Sequence, residues 1–419
     1  MMNACTIVAR NYLAQASALA DSFVASNPEG VFTILAIDLG DERVESDDPR
    51  IRVVGPDGAG FDPAEFNRMA AIYDVVELAT AVKPTLVRHL LVEGGEPVTY
   101  LDPDILVFRP LDEIERLARE HDIVLTPHTS VPLPDDGFPP GEVAFLEAGV
   151  FNLGFIAVGA GAVPFLDWWA DRLSRRCLVA TQQHLFVDQK WIDLVPCYFR
   201  HFVLRDPAVN VAYWNLPVRT LEQRGDEWLV DGLPLVFFHF SGYDSAKPHL
   251  LSKYQGGDPR IRLDEHPALK AICDMYAARL EERGHSGLRR SGYGYATLPS
   301  GMPLDARTRG VYRRTLVACE KAGATLPPNP FDPDGEAAFV DWLSSPAGDP
   351  ADWGALSVLG ASAWLTEPGV RDAFPAVPGP DADRLLEWLE EGGARQLGMA
   401  TWLCRGRAGG AEVVPAPLR

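Results

Sequence analysis

A mostly parallel α/β sheet with helices on both faces, followed by a helical C-terminal region, is the fold class that this 419-residue sequence predicts. Three observations carry it. Short β-branched runs alternate with segments whose apolar residues recur at helical spacing, the pattern of a doubly wound sheet. Polar residues follow several of those runs, at Arg10-Asn11, Asp38, and Asp102 with Asp104; ligands of such sheets bind beyond the carboxyl ends of the strands. Past about Asp264 the β-type runs give way to Phe339, Trp342 and Leu343, and later Leu385, Trp388 and Leu389, at i, i+3 and i+4. A domain boundary is therefore expected near Asp264, giving units 1–264 and 265–419, with Ser286 to Pro303 as an irregular connection.

In chain order, Ala4 to Ala9 is a β-branched run ending at Arg10-Asn11, and Leu13, Ala16, Leu19, Ala20 and Phe23 follow at helical spacing. Asn27-Pro28-Glu29-Gly30 turns the chain into a second strand, Val31 to Ile37, and a third, Ile51 to Val54, precedes a glycine-rich turn. Asp62 and Pro63 read as the cap and first residue of a helix. Val75, Leu78, Ala79, Val82, Leu86 and Leu90 read as one longer amphipathic helix that leads to Val98–Val107. Pro132, Pro134, Gly137, Pro139 and Pro140 exclude a regular element and suggest a surface loop, a lid being one use of it. Val150 to Ala157 is a strand, and Phe165, Trp168, Trp169 and Leu173 mark a helix. Asp188 opens another, and Leu235 to Phe238 runs into His239.

Acidic residues dominate: Lys plus Arg number 38, Asp plus Glu 58, and the net charge is −20. Such a chain does not suit an extended nucleic-acid backbone as partner, and a phosphate-bearing ligand needs local cations or a metal. The six cysteines show neither CxxC pairs nor zinc spacing with histidine, which suits reduced, buried thiols in a cytoplasmic protein. No signal peptide is read at the N-terminus. The uncharged stretch Ala148 to Leu166 is not read as a transmembrane segment, because Asn152, Gly154, Gly159, Gly161 and Pro164 break it.

Asp102 and Asp104 lie at i and i+2 of an extended segment and so share a face, while Pro103 keeps that segment extended. Two hard oxygen ligands on one face suit Mg²⁺ or Mn²⁺, which take the rest of their shell from water and substrate phosphates. The alternative is a solvated Asp-Pro-Asp turn.

Four stretches, in order over roughly residues 1 to 260, make the chain resemble the GT-A (Rossmann-like) fold glycosyltransferases, in motif pattern the retaining family 8 type. Thr6 to Tyr12 matches the segment that holds base and ribose of a sugar nucleotide, which implies Val8, Ala9, Arg10, Asn11 and Tyr12 as its contacts. Tyr100-Leu101-Asp102-Pro103-Asp104 matches the YLDxD metal motif. Phe151-Asn152-Leu153-Gly154 and Asp188-Gln189 resemble the segments lining the sugar and acceptor pocket, implying Asn152 as a donor contact and Asp188 and Gln189 as catalytic. His239-Phe240-Ser241-Gly242 with Lys247-Pro248 resembles HxxG…KP, in which His239 joins Asp102 and Asp104 on the metal, and Gly242 and Lys247 meet the diphosphate. Lys83 resembles a phosphate- or sugar-contacting lysine. The chain departs from the pattern in the longer interval between Gly242 and Lys247 and in His249, where tryptophan often follows Lys-Pro.

The resemblance implies a metal-dependent hexosyltransferase, retaining at the anomeric carbon, that uses a nucleoside-diphosphate sugar, with uracil the expected base. Its acceptor would be a glycan, a small molecule or a protein, and residues past Asp264 would shape acceptor choice or an oligomer contact. Two other functions compete. A sugar-nucleotide pyrophosphorylase needs a glycine-rich loop where this chain has Ala9 to Gln15 without glycine. A sugar-nucleotide-binding scaffold without catalysis would not need Asp102, Asp104 and His239 intact. Single residues have plainer readings too: His239 as a core histidine, Asp188 as a helix cap, Lys83 as a snorkelling surface lysine. Tyr293-Gly294-Tyr295 with Arg289, Arg290, Arg313 and Arg314 reads as an acceptor platform or as loop packing. His89, His121, His128, His184 and His201 receive no role.

Overall fold

A computed structural model describes residues 2–40 and 42–407 of the chain; residues 408–419 of the expected C-terminal domain lie outside the described residues. The fold divides into two compact units. The first combines the chain up to Asp62 with Val75–Gly294, and the second combines Pro63–Asp74 with the residues from Tyr295 onward.

Seven strands of the first unit are labelled in chain order: β1 (Asn3–Val8), β2 (Val31–Ala36), β3 (Ile51–Val54), β4 (Val98–Leu101), β5 (Ile105–Val107), β6 (Ile123–Pro127) and β7 (Phe151–Val158). Among the described residues, the central sheet has seven strands in the order Phe202–Val203, β6, β7, β4, β1, β2, β3. β3, β2, β1 and β4 run parallel, and β7 is antiparallel to β4 and β6. Strands therefore build outward from β1 through β2 to β3, then return to its other side with β4. That reversal opens a crevice beyond the carboxyl ends of β1 and β4, the place where such sheets bind ligands.

Helix Leu13–Ser26 carries Leu19 and Phe23 into a core with Phe32, Phe155 and, from helix Asp112–His121, Ile114 and Leu117. Ala4 and Val8 of β1 join that core, while Cys5, alternating with them, faces the other side near Lys83. There helix Lys83–Gly94 meets β1 and β4 and packs against helix Val163–Arg176. The single helix expected from Val75 to Leu90 is two, Val75–Ala81 and Lys83–Gly94. Pro84, the second residue of the latter, has no N–H to continue the ladder.

β5 leaves the main sheet and pairs antiparallel with Phe237–His239, so that Ile105 stands opposite His239. The unit boundary falls after Gly294 instead of near Asp264, because helix Pro267–Glu282 buries Leu269, Ile272, Cys273 and Tyr276 in a core with Phe238, Phe240 and Leu106. In the second unit, helix Ala306–Ala322 is capped by Asp305, whose carboxylate accepts from Thr308 N–H at 2.8 Å. Its Tyr312 packs edge-on to Phe339 and Trp342, and its Arg309 donates to Ala70 O at 2.6 Å, tying helix Pro63–Ile72 to this unit. All six cysteines are free thiols, five of them buried. Among the described residues no helix is long and apolar enough to cross a membrane; Ala148 to Leu166 divides into β7 and the start of a helix.

Candidate functional site

Asp102 follows β4 at the mouth of the crevice and is held twice. Its N–H donates to Gly154 O on β7 at 2.8 Å, and its Oδ1 accepts from the Tyr100 hydroxyl at 2.8 Å. Burial and the Asp102 charge raise the Tyr100 pKa, so that hydroxyl stays a donor. Asp104 O accepts from Phe240 N–H at 2.7 Å, which fixes this turn against the His239 strand. His239 Nε2 then lies 3.0 Å from Asp104 Oδ1 and 3.9 Å from Asp102 Oδ2.

The His239 ring is 3% exposed and occupies space that Gly154 leaves open: a Cβ at residue 154 would run into its Cε1 and Nδ1. Burial pulls the His239 pKa down, but Asp104, by charge and hydrogen bond, and then Asp102 outweigh it and hold it above the ordinary imidazole value. Ligand atoms of Asp102, Asp104 and His239 all lie within 4.8 Å of one another. Two carboxylates and an imidazole converging at a strand-end crevice are a donor set that fits Mn²⁺ or Mg²⁺.

Two clefts meet at this trio. The first, about 410 Å³, is lined by Asn11, Tyr12 and Gln15 and by Gly242, Lys253 and Arg289. The second, about 330 Å³, is lined by Lys83, Asn152, Asp188, Gln189, Tyr213 and Trp214. Asp102, His239, Ser241 and Tyr254 line both.

In the first cleft Asn11 Oδ1 and Gln15 Oε1 are buried without a hydrogen-bond partner, two acceptors that a bound N–H or O–H group would satisfy. Val8 and Ala9, expected as contacts, are buried and outside the lining. Arg10 does not line this cleft: its N–H donates to Asp38 Oδ1 at 2.7 Å, and its guanidinium binds Glu42 at 2.7 Å and Leu39 O at 3.2 Å. Gly242 has φ +73°, and a Cβ there would lie 2.6 Å from Ser252 Oγ, so the turn requires glycine. Lys247 is exposed and outside the lining. Among the described residues, the lysine and arginine that line this cleft are Lys253 and Arg289. Tyr276 and Leu280, on the helix expected to lie beyond the catalytic domain, line it as well.

In the second cleft Lys83 is 1% exposed and does not snorkel. Its Nζ pairs with Asp188 Oδ2 at 2.6 Å, donates to Leu153 O at 2.9 Å and sits 4.1 Å from the centre of the Tyr100 ring. Burial raises the Asp188 pKa, and Lys83 only partly offsets it. Asp188 starts the short helix Gln189–Leu194 but makes no capping bond with its side chain. The Gln189 amide is engaged by main chain: Oε1 accepts from Leu153 N–H and Nε2 donates to Ala148 O, both at 3.1 Å. Asn152 Oδ1 accepts from Gly154 N–H at 3.2 Å and from Asn210 Nδ2 at 3.0 Å.

Sequence reasoning missed Lys253, Tyr213, Trp214 and Asn210, and gave His128 no role although it stacks on Phe145 and meets Trp214 edge-on. Burial pushes the His128 pKa down to about 4, so this ring is neutral. A signal existed only for Asn210 and Asn215, amides set in the otherwise apolar and aromatic run Val209 to Leu216.

No family model matches the chain. The uncharacterized protein YfnF of Bacillus subtilis (strain 168) is 26% identical over 247 residues, which is 57% of this chain and 80% of YfnF. YfnD of the same strain is 25% identical over 215 residues, 49% of this chain and 65% of YfnD, so the match spans just under two thirds of that relative. Among solved structures, the chain is similar to the galactosyltransferase LgtC in complex with donor and acceptor sugar analogs, at 16% identity and TM-score 0.38 over 68% of this chain and all of that one. It is also similar to the apo-form glycosyltransferase GlyE of Streptococcus pneumoniae TIGR4, at 13% identity and TM-score 0.36 over 68% of this chain and 64% of GlyE. Both solved proteins are glycosyltransferases, the class whose motifs this sequence resembles.

Proposed function

We propose that the chain is a metal-dependent glycosyltransferase. It moves a hexose from a nucleoside-diphosphate sugar, UDP-linked by the family resemblance, to a glycan, small-molecule or protein acceptor with retention at the anomeric carbon. The observation that carries this reading is the joint between the clefts. Asp102, Asp104 and His239 stand where a polar cleft with unpartnered amide oxygens and exposed cations opens into one built around a buried ion pair. A nucleotide sugar has that layout, with its diphosphate between a polar nucleoside and a hydroxyl-rich ring.

The reaction breaks the bond between the anomeric carbon and the phosphate oxygen, so negative charge grows on the departing diphosphate. A divalent ion held by the trio supplies positive charge to that group. Lys253 and Arg289 add charge from the wall of the first cleft, and Gly242 lets main chain approach without a side chain between. On the sugar side, the Lys83–Asp188 pair and Asn152 orient hydroxyls, and Gln189 lines the reacting face.

Retention is supported by the scarcity of bases. Inversion needs a carboxylate within reach of the acceptor hydroxyl. Among the described residues the carboxylates lining the second cleft are Asp102 and Asp188, the first in the metal set and the second paired with Lys83. Glu147 is exposed and outside the lining. The departing diphosphate is then the base that takes the acceptor's proton.

The test is a panel of nucleoside-diphosphate hexoses incubated with the protein and Mn²⁺, scored by release of the nucleoside diphosphate. At least one donor is expected to turn over, slowly to water, and EDTA to stop it. A folded protein that binds a nucleotide sugar and never cleaves it would favour the scaffold; one that binds none would overturn the reading.

A further inference from the structure

Behind His239 lies a buried network that determines which ring nitrogen carries hydrogen. Main chain fixes both of its ends, because a peptide N–H only donates and a carbonyl only accepts. At one end Gly154 N–H points at Asn152 Oδ1, 3.2 Å away. Asn210 Nδ2 lies 3.0 Å from that same oxygen and 2.8 Å from Thr126 Oγ1. Asn210 therefore presents its amide hydrogens there and its Oδ1 to His239 Nδ1, at 3.3 Å. At the other end His128 Nδ1 faces Val150 O and its Nε2 faces Asn152 Nδ2, each at 3.4 Å. A single set of amide orientations and ring tautomers satisfies both ends. In it His239 donates from Nδ1 to Asn210 and turns Nε2 toward Asp104 and Asp102, the nitrogen whose hydrogen a bound cation would displace.

The local backbone is built to hold this arrangement. Asn210 is 1% exposed and has φ +55°, a left-handed conformation that asparagine tolerates better than most residues. Asn215 Nδ2 donates to Asn210 O at 2.9 Å and to His128 O at 3.2 Å. His239 N–H donates to Val211 O at 2.8 Å, which locks the Asn210 turn onto the His239 strand.

We propose that Asn210 is a positioning residue: its Oδ1 accepts the Nδ1 hydrogen of His239, setting tautomer and ring angle so that the Nε2 lone pair serves a divalent cation with Asp102 and Asp104. This rests on the metal reading of that trio. The partner that orients a ligating imidazole contributes to metal affinity without touching the metal.

The test uses two variants and Mn²⁺ alone, titrated into each folded protein and followed by electron paramagnetic resonance of the free ion. Asn210→Gly removes the acceptor and suits the left-handed backbone; Asn210→Asp keeps an oxygen facing Nδ1. Asn210→Gly is expected to bind Mn²⁺ about 10- to 100-fold more weakly, and Asn210→Asp, which keeps the Nδ1 acceptor but loses the hydrogens given to Asn152 and Thr126, to weaken binding clearly less. Equal weakening of both would mean a merely structural role and overturn the proposal, as would wild-type affinity in Asn210→Gly. Histidine ¹⁵N spectra of the Mg²⁺-loaded wild type add a second readout: hydrogen on Nδ1 of His239 supports the role, and hydrogen on Nε2 overturns it. Failure of the wild type to take up Mn²⁺ would overturn the metal reading and this role together, whereas failure of the variants alone to discriminate leaves the metal reading standing.

Discussion

The two clefts that meet at Asp102 and His239 are built by opposite means. The first takes its cations from Lys253 and Arg289, both exposed. The second takes its charge from Lys83 and Asp188, almost fully buried and paired at 2.6 Å. Exposed charges attract a diphosphate through screened, forgiving interactions that water and salt weaken. Buried charges tolerate neither loss nor displacement, because each is costly without its partner. On the function proposed above, the first wall would hold the nucleotide and the second the reacting atoms at fixed positions. Substitutions should separate the two.

The largest effect is expected at the joint, where both clefts depend on the same residues. Asp104→Ala removes a ligand and should lower transfer by about 10³-fold or more, since the metal supplies several kcal/mol to the departing charge. Its melting temperature should stay near wild type, because a partly exposed carboxylate at a strand end, beside another carboxylate, contributes little to the fold. Initial rates and a thermal melt measure both; a folded variant with full activity in EDTA would contradict the metal assignment.

In the second cleft Lys83→Met should cost about 3–5 kcal/mol of stability by stranding the buried Asp188 carboxylate, read by urea denaturation. The pair Lys83→Met with Asp188→Leu should recover most of that stability and none of the transfer. Recovery of activity in the double variant would make the ion pair structural only. Asp188→Asn should lower the chemical rate strongly while nucleoside-diphosphate affinity, which rests on the joint and the first cleft, stays nearly unchanged.

Acid should also strike the second cleft first. His128 is held neutral in the fold with its pKa pushed down to about 4, so the unfolded chain binds its proton more readily. Stability from this group is present above the ordinary histidine pKa and is lost as pH falls from about 6.5 to about 4, amounting to about 3 kcal/mol over that window. Denaturation at pH 7 and pH 4.5 should show this slope, and His128→Gln should flatten it.

The smallest expected effect lies in the first cleft. Lys253→Ala should raise the donor KM by about fivefold or less, with the difference shrinking in high salt, and Lys247→Ala should change nothing. The reverse ranking in a KM comparison would restore Lys247 to the diphosphate.

Much of this site was legible because strands have period two: Asp102 and Asp104 had to share a face, and alternation of strands and helices placed them at a crevice of a mostly parallel sheet. The reversed direction of β7 was not, since a run buried on both faces reads alike either way. Lys247 and Lys253 stand in one irregular stretch after Gly242, and its path depends on Ser252 and Tyr254 packing at that turn, which no periodicity encodes. Helix Pro267–Glu282 showed an apolar stripe but not which core it covers, so the expected boundary fell on the wrong side of it. Asn210 acts through a hydrogen-bond network assembled from β6, β7 and the His239 strand, and only the fold brings these together.

On the proposed function, Asp102, Asp104 and His239 hold a divalent ion that shares a nucleoside diphosphate with the first cleft. Melting the protein with UDP, Mn²⁺, or both separates a shared ion from independent binding. UDP at 100 times its Kd should add about 2.7 kcal/mol of stability when Mn²⁺ is present and far less in EDTA, and Asp104→Ala should lose the difference. Equal stabilisation by UDP with and without the ion, unchanged in Asp104→Ala, would contradict it.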